Sequence, residues 1–138
     1  MKKIATMAAA MAMSAMMAMS AFASNYSGTY FYFDAGQTQK APAHAQTTVT
    51  GIETADGDEA GTTDIVIYVQ EIEHSGVVGE IQSITIDGQT VYSDGSSIAF
   101  YGVDNDLINA KGLINASVTI TNDGHPVDLS DIYLDVEQ

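Results

Sequence analysis

The chain has no cysteine and no tryptophan, only two prolines and four basic residues, and no long apolar run past residue 23. Each gap excludes something. Without cysteine there is no disulfide framework, no lipid-attachment site, no thiol nucleophile and no thiolate metal ligand, so stability must come from a packed core. So few lysines and arginines make nucleic acid and anionic lipid poor partners. No later segment is long and apolar enough to insert in a membrane. There is no Gly-x-Ser-x-Gly elbow, no phosphate-cradling glycine loop and no His-Glu metal helix, so the chain reads as no enzyme. No helical period persists over ten residues past the N-terminal segment, which points to an all-β protein.

What is present begins with MKKIATMAAAMAMSAMMAMSAFAS. Lys2 and Lys3, the Ala/Met run from Ile4 to Met19, and the small-x-small triplet Ala21-Phe22-Ala23 have the layout of a bacterial secretory signal peptide. Residues 1–23 are therefore expected to be removed before Ser24, leaving one domain over residues 24–138. The product is expected to be secreted, periplasmic or held at the cell surface. All seven methionines lie within the first 19 residues, and past the signal only Lys40 and Lys111 face all 18 acids, a formal charge of −16. Such a surface keeps an exported protein soluble and attracts cations.

The remainder alternates with period two. TYFYFD predicts Tyr30 and Tyr32 on one strand face, Phe31 and Phe33 on the other. DIVIYVQEIE predicts one long central strand, with Ile65, Ile67 and Val69 opposed to Val66, Tyr68 and Ile72. SITIDGQTVYS predicts a hairpin about Asp87-Gly88, and SIAFYG follows a second turn at Asp94-Gly95. In SVTITNDGHPVDLSDIYLDV, Val118 and Ile120, then Ile132, Leu134 and Val136, should point inward. Ser117, Thr119, Thr121, Tyr133, Asp135 and Glu137 should point out, about a turn at Asn122–Pro126. DNDLINAKGL predicts one helical turn capped by Asp104 or Asn105 and stopped at Gly112. AGQTQKAPAHAQ reads as a loop or a short irregular helix. Roughly seven or eight short strands predict a single antiparallel immunoglobulin-like β-sandwich.

Candidate chemistry is of three kinds. Acidic, glycine-bearing loops suit a hard cation such as calcium: Glu53, Asp56, Asp58, Glu59 and Asp64 in the first, Asp104, Asn105, Asp106 and Asn109 in the second. Asp123, Asp128 and Asp131 would join only if folding brought them close. His44, His74 and His125 are far apart, and a zinc or copper site would need two of them to meet. The tyrosines Tyr30, Tyr32, Tyr101 and Tyr133 could stack a glycan or a porphyrin if one groove gathers them, or simply flank the core.

Taken in order, YSGTYFYF, the long apolar strand, EHSGVVGEIQSITIDGQTVY, the VDNDL turn and the last hairpin resemble the near-iron-transporter (NEAT) domain. That family is an immunoglobulin-like haem-binding module of bacterial surface proteins. The resemblance implies haem bound by two tyrosines four apart at the start of the final strand. Here that stretch is Val127-Asp128-Leu129-Ser130-Asp131, with no tyrosine at either end. Tyr133 is the one axial ligand it leaves, with the Tyr30–Phe33 strand covering the ring. Two functional classes follow. The first is an exported, non-catalytic binding module whose partner is a protein, glycan or small ligand. The second is haem or metal capture on a NEAT-like scaffold, with a calcium-stiffened adhesin-like domain beside it.

Overall fold

Alternation becomes strand almost everywhere past Tyr30. The computed structural model describes residues 29–137, without the side chains of His44 and His74. The expected signal peptide and its cleavage site lie outside the described residues. The strands are β1 (Phe31–Tyr32), β2 (Val49–Asp56), β3 (Thr62–Val69), β4 (Ile72–His74), β5 (Val77–Ile86), β6 (Gln89–Tyr92), β7 (Ser97–Asp104), β8 (Leu113–Asn122) and β9 (His125–Asp135). One helical turn, α1 (Ala43–Gln46), and a 3₁₀ turn at Asn105–Leu107 complete the described residues. The chain is all-β, and every strand pair is antiparallel. One sheet runs β1-β9-β8-β5-β4, with β6 also on β5; the other runs β2-β3-β7.

Three of the hairpins close on two residues that both have positive φ: Ser75-Gly76 (53°, 80°), Asp87-Gly88 (52°, 77°) and Asp123-Gly124 (51°, 84°). This is the type I′ geometry whose twist matches that of paired strands. Asp94-Gly95 is different. The Asp94 carboxylate accepts the backbone N–H groups of Ser96 and Ser97, and the chain passes from β6 in one sheet to β7 in the other.

The apolar residues of both sheets meet in one core. Ile65, Ile67, Ile98 and Phe100 come from the three-stranded sheet; Ile81, Ile84, Ile114 and Leu134 come from the six-stranded one. Burying each side chain of this size stabilises the fold by roughly 1.5–3 kcal/mol. Ile132, Leu134 and Val136 point into that core as the alternation predicts.

Four expectations are corrected. Among the described residues there are nine strands, because β1 and β4 form as two- and three-residue pieces. DIVIYVQEIE is not one strand: β3 ends at Val69 and Ile72 opens β4 in the other sheet. The crossing is pinned by Gln70, whose N–H bonds the Thr48 carbonyl and whose carboxamide bonds that of Thr47. Tyr30 does not share a face with Tyr32 but joins Phe31 in the core, since β1 is too short to impose parity. Asp135, expected in water, is 7% exposed. It receives N–H bonds from Gln37 Nε2 and from the Glu137 backbone.

Candidate binding groove

Burial falls away along the inner face of the six-stranded sheet. On β8, Ile114, Ala116 and Val118 are buried, but Ile120 is only half-buried. On β9, Leu134 is sealed at 0%, while Val127 and Leu129 are 38% and 37% exposed. A bulge lets both stretches of β9 face inward. Ala116 pairs with Ile132 and Val118 with Leu129, so β9 spends one extra residue there, with Asp131 at φ 55°. The result is an apolar groove of about 270 Å³. Its floor is Ile81, Val118, Ile120, Leu129 and Ile132, and its walls include Phe31, Phe33, Ala41, Pro42, Ala45 and Ile72.

The wall from Phe31 to Thr48 is built by local polar bonds. Phe33 N–H bonds the Gln39 carbonyl and Ala41 N–H bonds the Phe31 carbonyl, folding the segment back on itself. The Asp34 carboxylate holds the bend, accepting from Thr38 Oγ1 (2.6 Å) and from the N–H groups of Thr38 and Gln39. Those bonds, led by the Thr38 hydroxyl, keep the Asp34 carboxyl below the usual carboxylate range. Gln46 is the clamp. Its buried carboxamide accepts from the N–H groups of Tyr30 and Phe31 and donates to the carbonyls of Phe31 and Ala41. One side chain thus does for β1 what a neighbouring strand would do. Sequence reading missed Gln46, because only tertiary contact distinguishes it from any polar loop residue.

The four candidate tyrosines do not share this groove. Tyr30 is in the core, and Tyr101 is exposed on β7 of the three-stranded sheet. Tyr32 and Tyr133 are directly opposed across β1 and β9, Tyr32 buried and Tyr133 half-buried. Their neighbours in register, Phe31 and Leu134, are core residues, so this pair belongs to the opposite face of the same sheet.

The two acidic loops do come together, at one end of the three-stranded sheet. Thr62 pairs with Asp104, Asn105 N–H bonds the Gly61 carbonyl, and the Thr63 hydroxyl bonds the Asn105 carboxamide. Yet Asp56, Asp58, Glu59, Asp104 and Asp106 all point to solvent. Among the described residues no three carboxylates or imidazoles are grouped to hold a metal ion. Several of these side chains are engaged in the backbone instead. Asp104, one of the two caps the sequence offers, caps the 3₁₀ turn through Asp106 N–H. Asn109 accepts from Lys111 and Leu113 N–H groups and donates to the Ala35 carbonyl. Asp123 accepts Val78 N–H, tying one hairpin turn to the next, and Asp128 accepts the Thr119 hydroxyl at 2.7 Å.

Glu53 lies mid-strand in β2, and its charge together with burial raises the Tyr68 phenol, burial being the larger effect. Asp64 is 1% exposed and accepts Gly102 N–H at 2.8 Å. Gly102 sits at φ 68° where β7 bulges against β3, a conformation that favours glycine. His125 is exposed at the start of β9, paired with Asn122. No helix among the described residues is long and apolar enough to cross a membrane. In comparisons with protein-family models, curated proteins and solved structures, nothing matched this chain.

Proposed function

We propose that this chain is an exported, non-catalytic binding module. In this reading residues 1–23 direct export, and the rest is an immunoglobulin-like β-sandwich that holds an apolar ligand between its open sheet end and the Phe31–Thr48 wall. One observation carries it: an apolar groove left open on a strongly acidic chain, with Phe33 at 47% and Leu129 at 37% exposure at its mouth. Apolar surface of that kind costs solubility and is kept where something binds. The test uses Nile red, a neutral dye that brightens in apolar surroundings. The groove predicts enhanced, blue-shifted emission, lost in Leu129→Lys and in Phe33→Lys at an unchanged melting midpoint. Emission that is the same in both variants would place the dye elsewhere and remove the reading.

The NEAT-like alternative uses the other face of the same sheet, where Tyr133 stands opposite Tyr32. It predicts a tyrosinate-ligated haem band on adding haemin, abolished by Tyr133→Phe and untouched by Leu129→Lys. The reading preferred here predicts no such band.

A further inference from the structure

We infer that the groove's ligand is a short extended peptide alternating apolar and basic residues, added as a strand to the open edge of β9. The inference rests on the groove being a binding site and specifies what it takes. β9 runs His125–Asp135, and β8 pairs along its whole length. On the other edge β1 pairs only Tyr133 and Leu134, and at Phe33 the chain turns back to bond Gln39. Among the described residues no other strand pairs with β9, so its N-terminal half has an unpaired edge beside the groove. Such an edge is a template for an incoming strand, whose main chain supplies affinity and whose alternate side chains supply specificity.

The two faces of this edge differ in chemistry. Val127 and Leu129 face inward, opposite Ile120 and Val118, and Leu129 lines the groove. Asp128 lies between them on the outer face, where it holds the Thr119 hydroxyl. An added strand therefore sets every second side chain in an apolar slot and the intervening ones beside Asp128. One further acid lines the groove, Glu80. Lys40, next to Ala41, is the nearby base. Charge complementarity selects lysine or arginine at the outward positions. It also disfavours a second copy of a chain whose formal charge is −14. Pro126 and the bulge at Asp131 bound the open edge, limiting the partner to a few residues and opposing extended self-pairing.

The probe is the acetylated, amidated heptapeptide Lys-Val-Lys-Val-Lys-Val-Lys, titrated calorimetrically into the full chain. Binding is expected, weaker by at least tenfold in three cases. These are the glutamate-for-lysine analogue, an analogue N-methylated at alternate residues, and the Leu129→Lys protein. Asp128→Lys should weaken it severalfold and flatten its salt dependence. Nile red binding without peptide binding overturns this inference and leaves the groove reading standing; failure of both overturns both. Equal binding of the glutamate or N-methylated peptide also overturns it. So does a dimer, seen by sedimentation, that Leu129→Lys dissociates.

Discussion

The inner face of the six-stranded sheet has two halves made of the same kinds of residue on the same strands. In one, Ile84, Ile114 and Leu134 are sealed in a core shared with the three-stranded sheet. In the other, Ile120 and Leu129 look into a groove walled by the Phe31–Thr48 segment and Ile72 rather than by the facing sheet. The difference is one of cover, not of composition. A strand's alternation states which residues turn inward, while what lies above them depends on how far the facing layer reaches.

The sharpest way to break this comparison is a pair of truncations on one strand. Leu134→Ala, at 0% exposure, should cost about 3–4 kcal/mol, whereas Leu129→Ala should cost well under about 1 kcal/mol. Urea denaturation of both variants measures it, and similar costs would mean that the open half is packed after all. Next is the clamp. Gln46→Ala removes four bonds to the backbone of β1 and the following loop, and should cost about 2–3 kcal/mol. It should also abolish Nile red enhancement by loosening the groove wall, a loss that Asp64→Ala should not produce. Asp64→Ala, at the other sheet, is expected to cost about 2 kcal/mol through the Gly102 N–H it abandons.

The smallest effects have opposite signs and separate two carboxylates by pH. Burial, above all, raises the Asp135 carboxyl, with the Glu137 charge adding to it and its hydrogen bonds opposing. A raised carboxylate works against folding as pH climbs from the ordinary carboxylate range through the raised value. Asp135→Asn should therefore raise the melting midpoint at pH 7, with the gain vanishing in acid. Asp34 is lowered, so its contribution is present above the unfolded value and disappears as pH falls through the folded one. Asp34→Asn should lower the midpoint at pH 7 and be neutral in acid. Thermal scans from pH 3 to 7 check both, and parallel profiles would contradict the assignment.

Much of the architecture was legible because it is local. Period-two runs gave the strands, and Asp87-Gly88 and Asp123-Gly124 announced their turns by residue type. The cap of the 3₁₀ turn was legible only as Asp104 or Asn105, and Asp104 fills it. Ser75-Gly76 did not announce its turn, since serine is a weaker signal for positive φ, and so the β4–β5 hairpin went unread. The groove was illegible for a different reason. It joins Phe33, Ala45, Ile81 and Leu129, residues far apart in the chain, and depends on where sheet cover stops. The tyrosines drew attention as aromatic residues, yet Tyr30 fills the core and Tyr101 lies on the other sheet. The meeting of the 56–61 and 104–109 loops required the β3–β7 register, which no single segment encodes.

Methyl-resolved NMR under xenon pressure tests the contrast between the two halves most directly, because xenon enters apolar space without regard to charge or hydrogen bonding. Shifts concentrated on Ile81, Val118, Ile120 and Leu129, with Ile84, Ile114 and Leu134 unmoved, are the predicted result. Shifts spread evenly along both halves, or absent from the Leu129 end, would contradict it.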